Sequence, residues 1–254
     1  MAGAQPFPIL LTGVGVGFLG GLFGKGGRAI ATPLLALLGV PGFVAVAAPL
    51  PATVPGTFVA SVAYWRRREL DWPVVTWSLV WGVPATIVGA WLSRFTGAGP
   101  LLIVTAVMVL GFGVSFLLYP ESEGVAHSAE GARPRFWTAR LAAVTIFVGL
   151  VSGLLANSGG FLLAPCYAKF LRLRLKTAFA CSLAVSMVLA VPGTVVHWWL
   201  GHIDWKVVAI LAVGSVPCSY LGAMVALRAR TAPLGRLYGL ALTALGVFFL
   251  WQLR

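Results

Sequence analysis

The sequence predicts an all-α integral membrane protein of two inverted repeats, each a glycine-broken re-entrant helical V plus three transmembrane helices. Three observations carry this prediction. Of 254 residues, 59% are hydrophobic and only 9% charged, against about a quarter charged in soluble domains. Apolar runs of roughly 20 residues recur down the chain, each long enough to cross about 30 Å of hydrocarbon as a helix. Motifs of the first half also return in the second, with the basic loops on the alternate side.

The elements follow from apolar runs bounded by Gly, Pro and charge. The first, 7–23, lies in a stretch of 24 residues without Lys or Arg. It lacks the basic flank of a secretory signal and is read as a membrane segment. Its Gly13, Gly17 and Gly21 form a small-residue stripe suited to close helix packing, with a homodimer as a further use. The second, 28–39, is bounded by Gly24-Lys25-Gly26-Gly27-Arg28 and by Pro41. At 12 residues it reaches about 18 Å, too short to span. The third, 43–64, runs to the triplet Arg66, Arg67 and Arg68 and carries Pro55-Gly56-Thr57. The fourth, 72–94, opens after Asp71, and the fifth, 99–119, ends where the chain turns polar.

After the joining stretch the order repeats as 138–156, a second 12-residue run at 160–171, then 175–199, 205–228 and 233–253. A shift of 132 pairs Gly21 with Gly153, Gly27 with Gly159 and Pro33 with Pro165. A shift of 133 pairs Asp71-Trp72 with Asp204-Trp205, Pro84 with Pro217 and Gly89-Ala90 with Gly222-Ala223. Pro55-Gly56-Thr57 reappears as Pro192-Gly193-Thr194. The chain thus divides into a first membrane repeat (1–120), a cytoplasmic joining loop (121–137) and a second membrane repeat (138–254).

Charge orients these repeats. The formal net charge of +12 would point to nucleic acid in a soluble protein. Here 13 of the 18 basic residues gather in four loops, after the third, fifth, seventh and ninth elements, and mark the cytoplasmic side. The alternate loops hold Arg94, Lys206 and Arg254. Matching loops of the two halves carry opposite charge, so the halves are inverted. Three full spans plus a re-entrant V in each half satisfy the inversion, as would five spans with one very short. The V is preferred because its second limb is too short to cross, and both termini then lie outside the cytoplasm, with the protein in the cell membrane.

The chemistry is expected at the two V bends, Gly24-Lys25-Gly26-Gly27-Arg28 and Ala156-Asn157-Ser158-Gly159-Gly160. Non-helical backbone at membrane depth must be buried in protein or line a wet cavity. Glycine lets the N–H groups approach a ligand, and the helix N-terminus that follows each bend favours an anion. Lys25 adds a full charge, Asn157 and Ser158 add neutral donors, and Arg28 is the second basic residue far from an interface. Pro55 and Pro192 free carbonyls that Thr57 and Thr194 either patch or leave while lining the cavity. The predicted partners are a small anionic substrate and the lipid bilayer, with no nucleic acid. All six acidic residues fall in loops, leaving no carboxylate in the core for a proton relay or sodium cage. His197, beside Trp198 and Trp199, reads either as a coupling residue or as an interfacial one. Cys166, Cys181 and Cys218 are isolated in apolar runs, without metal spacing, and no cofactor is implied. Gly24-Lys25-Gly26 lacks the remaining residues of a nucleotide-binding P-loop.

The stretches GKGGRAIATPLL and NSGGFLLAPCY, the Ala180–Leu183 segment ACSL and the repeated Asp-Trp pair resemble the sulfite exporter TauE/SafE family over nearly the whole chain. The resemblance implies export of sulfite, sulfoacetate or other organosulfonates. It points to Gly24, Gly26 and Gly27 in the first motif, to Ser158, Gly159 and Gly160 in the second, and to Ser182. The chain departs from the family pattern at Lys25 and Arg28, where apolar or glycine residues are usual, and at Ala48-Pro49, where a hydroxyl pair is expected. The expected function is a secondary transporter; an anion channel would use the same donors. An enzyme would need a nucleophile, base or metal cluster that three histidines without an intramembrane carboxylate do not supply.

Overall fold

The computed structural model describes residues 6–24, 28–92, 98–118, 137–154, 159–199 and 201–251. The described residues are helical, with no strand among them: α1 (Pro6–Phe23), α2 (Arg28–Leu37), α3 (Gly42–Ala47), α4 (Pro49–Arg66), α5 (Trp72–Leu92), α6 (Ala98–Leu118), α7 (Trp137–Leu154), α8 (Gly160–Phe170), α9 (Leu175–Trp199), α10 (Trp205–Arg228) and α11 (Thr231–Trp251). Five of them, α1, α5, α7, α9 and α10, are long and apolar enough to cross a membrane. The protein is a multi-pass membrane protein. Large apolar side chains face outward, among them Phe7, Trp91, Val213 and Leu240, each more than half exposed. In lipid such exposure is the stable arrangement.

One expectation needs correction. The run 43–64 is not a single helix but α3 followed by α4, parting at Ala48. Pro49 and Pro51 both lack the N–H that would bond four residues back, and Pro49 takes the first position of α4. The short elements are as expected: α2 has 10 residues and α8 has 11, about 15 Å and 16 Å of helix.

The repeated Asp-Trp pair has a local cause. Asp204 caps α10, its Oδ1 accepting from the N–H groups of Lys206 (2.9 Å) and Val207 (3.4 Å). Asp71 accepts likewise from Val74 N–H at 3.3 Å. Each cap ties up donors that a helix start leaves free, and Trp72 and Trp205, both about half exposed, suit a lipid interface.

Packing is dominated by α1 on α10, α5 on α7 and α6 on α11, with α4 between α10 and α9. The first two contacts are glycine-lined. A Cβ on Gly17 or Gly21 would strike the Ser215 or Ser219 backbone of α10, and one on Gly222 would strike Phe18 of α1. Between α5 and α7, a Cβ on Gly153 would strike Thr86, and one on Gly89 would strike Leu150. The Gly13–Gly17–Gly21 stripe is therefore spent on α10 within the chain, which removes it as ground for a homodimer.

Around the ends of these helices lies an aromatic core. Tyr238 of α11 stacks edge-on against Phe116 (5.3 Å) and Phe179 (4.9 Å), and Phe23 lies 5.5 Å away. This cluster anchors the C-terminal end of α1, from which the first glycine break departs.

Candidate substrate site

The two glycine breaks meet at α9. Gly24 leaves α1 at φ +65, a left-handed conformation that side chains with a Cβ resist. A Cβ there would also lie 2.6 Å from Phe179 Cα. Gly159 precedes α8 at φ +68, where a Cβ would lie 2.6 Å from Ser152 Oγ. Its carbonyl accepts the first bonds of α8, from Leu162 N–H (2.9 Å) and Leu163 N–H (3.0 Å). Both positions therefore demand glycine for backbone and for space.

Ser182 joins them. Its side chain is fully buried, and its hydroxyl lies 3.0 Å from the Gly24 carbonyl and 2.9 Å from the Gly160 carbonyl. One hydroxyl has one proton, so the two carbonyls share it. A residue of α9 thus clamps a break from each half of the sequence. Gly24, Gly159, Gly160 and Ser182 are the predicted site residues that the structure brings together. Lys25, Gly26, Gly27, Asn157 and Ser158 lie outside the described residues. Arg28 begins α2, but its side chain is likewise not described.

Thr57 and Thr194 sit apart from the clamp. Thr57 Oγ1 donates to its own helix, at the carbonyls of Thr53 (3.0 Å) and Val54 (2.9 Å), and Thr194 Oγ1 donates to Ala190 (2.9 Å). Neither of these bonds reaches the carbonyl four residues before Pro55 or Pro192. Thr57 does line a small cavity between α1, α4 and α10, shared with Gly17, Thr53, Ser215 and Ser219. Its space for a water's centre is about 10 Å³, room for about one water molecule. Ser219 donates to the Gly17 carbonyl at 3.1 Å and Ser215 to that of Ala52 at 3.4 Å.

Thr53, Ser215 and Ser219 were not expected as site residues. Their sequence signal is faint: hydroxyls on helices of apolar residues, whose convergence depends on how α4 and α10 face each other. His197 lies at the end of α9, its Nδ1 3.3 Å from His202 Nδ1, next to the strongly exposed Trp198 and Trp199. That is an interfacial setting. Among the described residues, no group of three or more His, Cys, Asp or Glu side chains is placed to hold a metal ion.

Comparison with known proteins places the chain in a family of membrane transporters. Residues 9–249 match the family described as Sulfite exporter TauE/SafE. A probable membrane transporter protein of Xylella fastidiosa is 24% identical over 93% of this chain and 92% of its own length. A probable membrane transporter protein of Bacillus subtilis, YunE, is 20% identical over 96% of this chain and 97% of its own. MamO of Paramagnetospirillum magneticum, also described as a probable membrane transporter protein, is 27% identical over 66% of this chain and 32% of its own length. No solved structure matches.

Proposed function

Because the chain belongs to the sulfite exporter TauE/SafE family of membrane transporters, we propose that it is a secondary transporter exporting small sulfur-containing anions. Sulfite, sulfoacetate and other organosulfonates are the substrate class. The observation that carries this reading is the Ser182 clamp, which holds the carbonyls of Gly24 and Gly160 against one hydroxyl. The donors for the anion are the N–H groups at the starts of α2 and α8, together with Lys25, Arg28, Asn157 and Ser158. Carbonyls directed at Ser182 turn away from an anion they would repel.

Alternating access would come from two inverted halves, each with a re-entrant V. Interchanged contacts support the twofold relation. Under the repeat offsets, Gly21 corresponds to Gly153, Phe18 to Leu150, Thr86 to Ser219 and Gly89 to Gly222. The approach of Gly21 to Ser219 in α1–α10 then corresponds to Gly153 against Thr86 in α7–α5. The approach of Gly222 to Phe18 corresponds to Gly89 against Leu150.

The test is flux in proteoliposomes loaded with sulfite or sulfoacetate. Saturable efflux, accelerated by the same anion outside and lost in Lys25→Ala, is the expected result. Linear flux without counterflow stimulation would mean a channel, and efflux unchanged in Lys25→Ala would remove the site from the two bends.

A further inference from the structure

A second feature lies on the outer surface of the bundle, where α6, α7 and α8 meet. A groove of about 520 Å³ opens there. Three cations line it, Arg140 from α7, Lys169 from α8 and Arg172 just beyond α8, and its wall is apolar, with Val144, Phe147 and Phe170 along it. Lys169 is held in place, its Nζ 4.4 Å above the Phe116 ring. Arg172 has φ +53, in the left-handed region where a helix end normally places glycine. The chain thus carries an arginine where backbone geometry alone would favour its absence.

We propose that this groove is a specific site for an anionic phospholipid. The phosphate sits among Arg140, Lys169 and Arg172, and an acyl chain lies along Val144, Phe147 and Phe170. Charge and shape select this occupant together. Three cations at a groove between membrane helices attract an anionic headgroup, while a free inorganic anion would leave the apolar wall unused. A zwitterionic lipid would fill the wall but bring no net charge to the three cations. The inference does not depend on which anion the protein transports.

The backbone supplies a variant that separates binding from folding. Arg172→Gly removes the guanidinium and relieves the positive φ. The purified full-length protein in neutral detergent would be titrated with phosphatidylglycerol, phosphatidylcholine or inorganic phosphate, reading the thermal-unfolding midpoint. Phosphatidylglycerol is expected to raise the midpoint, and the other two to leave it in place. Arg172→Gly should hold or raise the lipid-free midpoint yet weaken the phosphatidylglycerol response about fivefold, the share of one basic residue near a lipid headgroup. Arg68→Gly makes the same backbone change at the end of α4 (φ +57), outside the groove, and should leave that response intact.

Equal stabilisation by both lipids, stabilisation by phosphate alone, or an unchanged lipid response in Arg172→Gly would each overturn the proposal. So would a lipid-free destabilisation by Glu121→Gln, Glu123→Gln and Glu130→Gln together in a protein that ignores phosphatidylglycerol, which would assign the groove to the joining segment.

Discussion

Ser182 and the two glycines it bridges show how single residues set the site. Ser182→Ala deletes one hydroxyl and with it the side-chain bond to each of two buried backbone carbonyls. Hydrogen bonds between membrane helices average about 0.6 kcal/mol and reach about 1.7, so the stability loss in a thermal-unfolding measurement should fall in that range. Transport should fall by much more than stability, because the clamp fixes one break against the other. A variant with normal efflux would remove Ser182 from the site. Gly24 and Gly39 allow a second comparison. Both have positive φ, but a Cβ at Gly39 meets nothing within 4 Å while one at Gly24 meets Phe179. Gly39→Ala should cost about 1–2 kcal/mol for the left-handed backbone alone. Gly24→Ala should cost that plus about 1–3 kcal/mol of overpacking, read as a wider fall in unfolding midpoint.

At the scale of the helix, the repeat makes a quantitative demand. Under the proposed repeat, Gly21, packed on Ser219, and Gly153, packed on Thr86, take corresponding places in the α1–α10 and α7–α5 contacts. Gly21→Leu and Gly153→Leu should therefore destabilise by similar amounts, each at least the roughly 1–3 kcal/mol of an overpacked core. A large effect at one and none at the other would argue that the two helix pairs are not equivalent. Capping predicts a smaller paired effect: Asp71→Ala and Asp204→Ala should each cost about 1 kcal/mol. Much of this scale was legible in the sequence. The bounds of α9 and α10 match the expected 175–199 and 205–228, because charge and an Asp cap delimit those runs sharply. The division of 43–64 into α3 and α4 was missed because hydropathy does not register a missing N–H. Pro49 and Pro51 were visible, but their effect on the helix depends on the backbone bonds they delete.

For the whole molecule, the decisive question is which loops share a side of the membrane. Cys166 and Cys181 are buried, and Cys218 is half-buried, so a Cys218→Ala background should label weakly. Single cysteines introduced at Arg67 and Asp204 would occupy corresponding loops of the two proposed repeats, and with inverted halves an impermeant thiol reagent should reach them from opposite faces. Labelling from the same face would leave the repeats parallel and exclude the inverted arrangement.

By itself, the sequence determined that this chain lives in lipid, where its helices run, that its motifs recur, and where glycine must break the helix. Those properties rest on composition, hydropathy and the conformational needs of individual residues, all of which are local. The tertiary structure alone decided that Ser182 reaches a carbonyl 158 positions away at Gly24 and another 22 away at Gly160. It also decided that α1 lies against α10, and that Thr53, Ser215 and Ser219 converge on one cavity. In lipid every apolar face is equally welcome, so hydropathy does not say which helix faces which. That choice falls to close glycine contacts and a few buried hydroxyl bonds, and these exist only once the helices are packed.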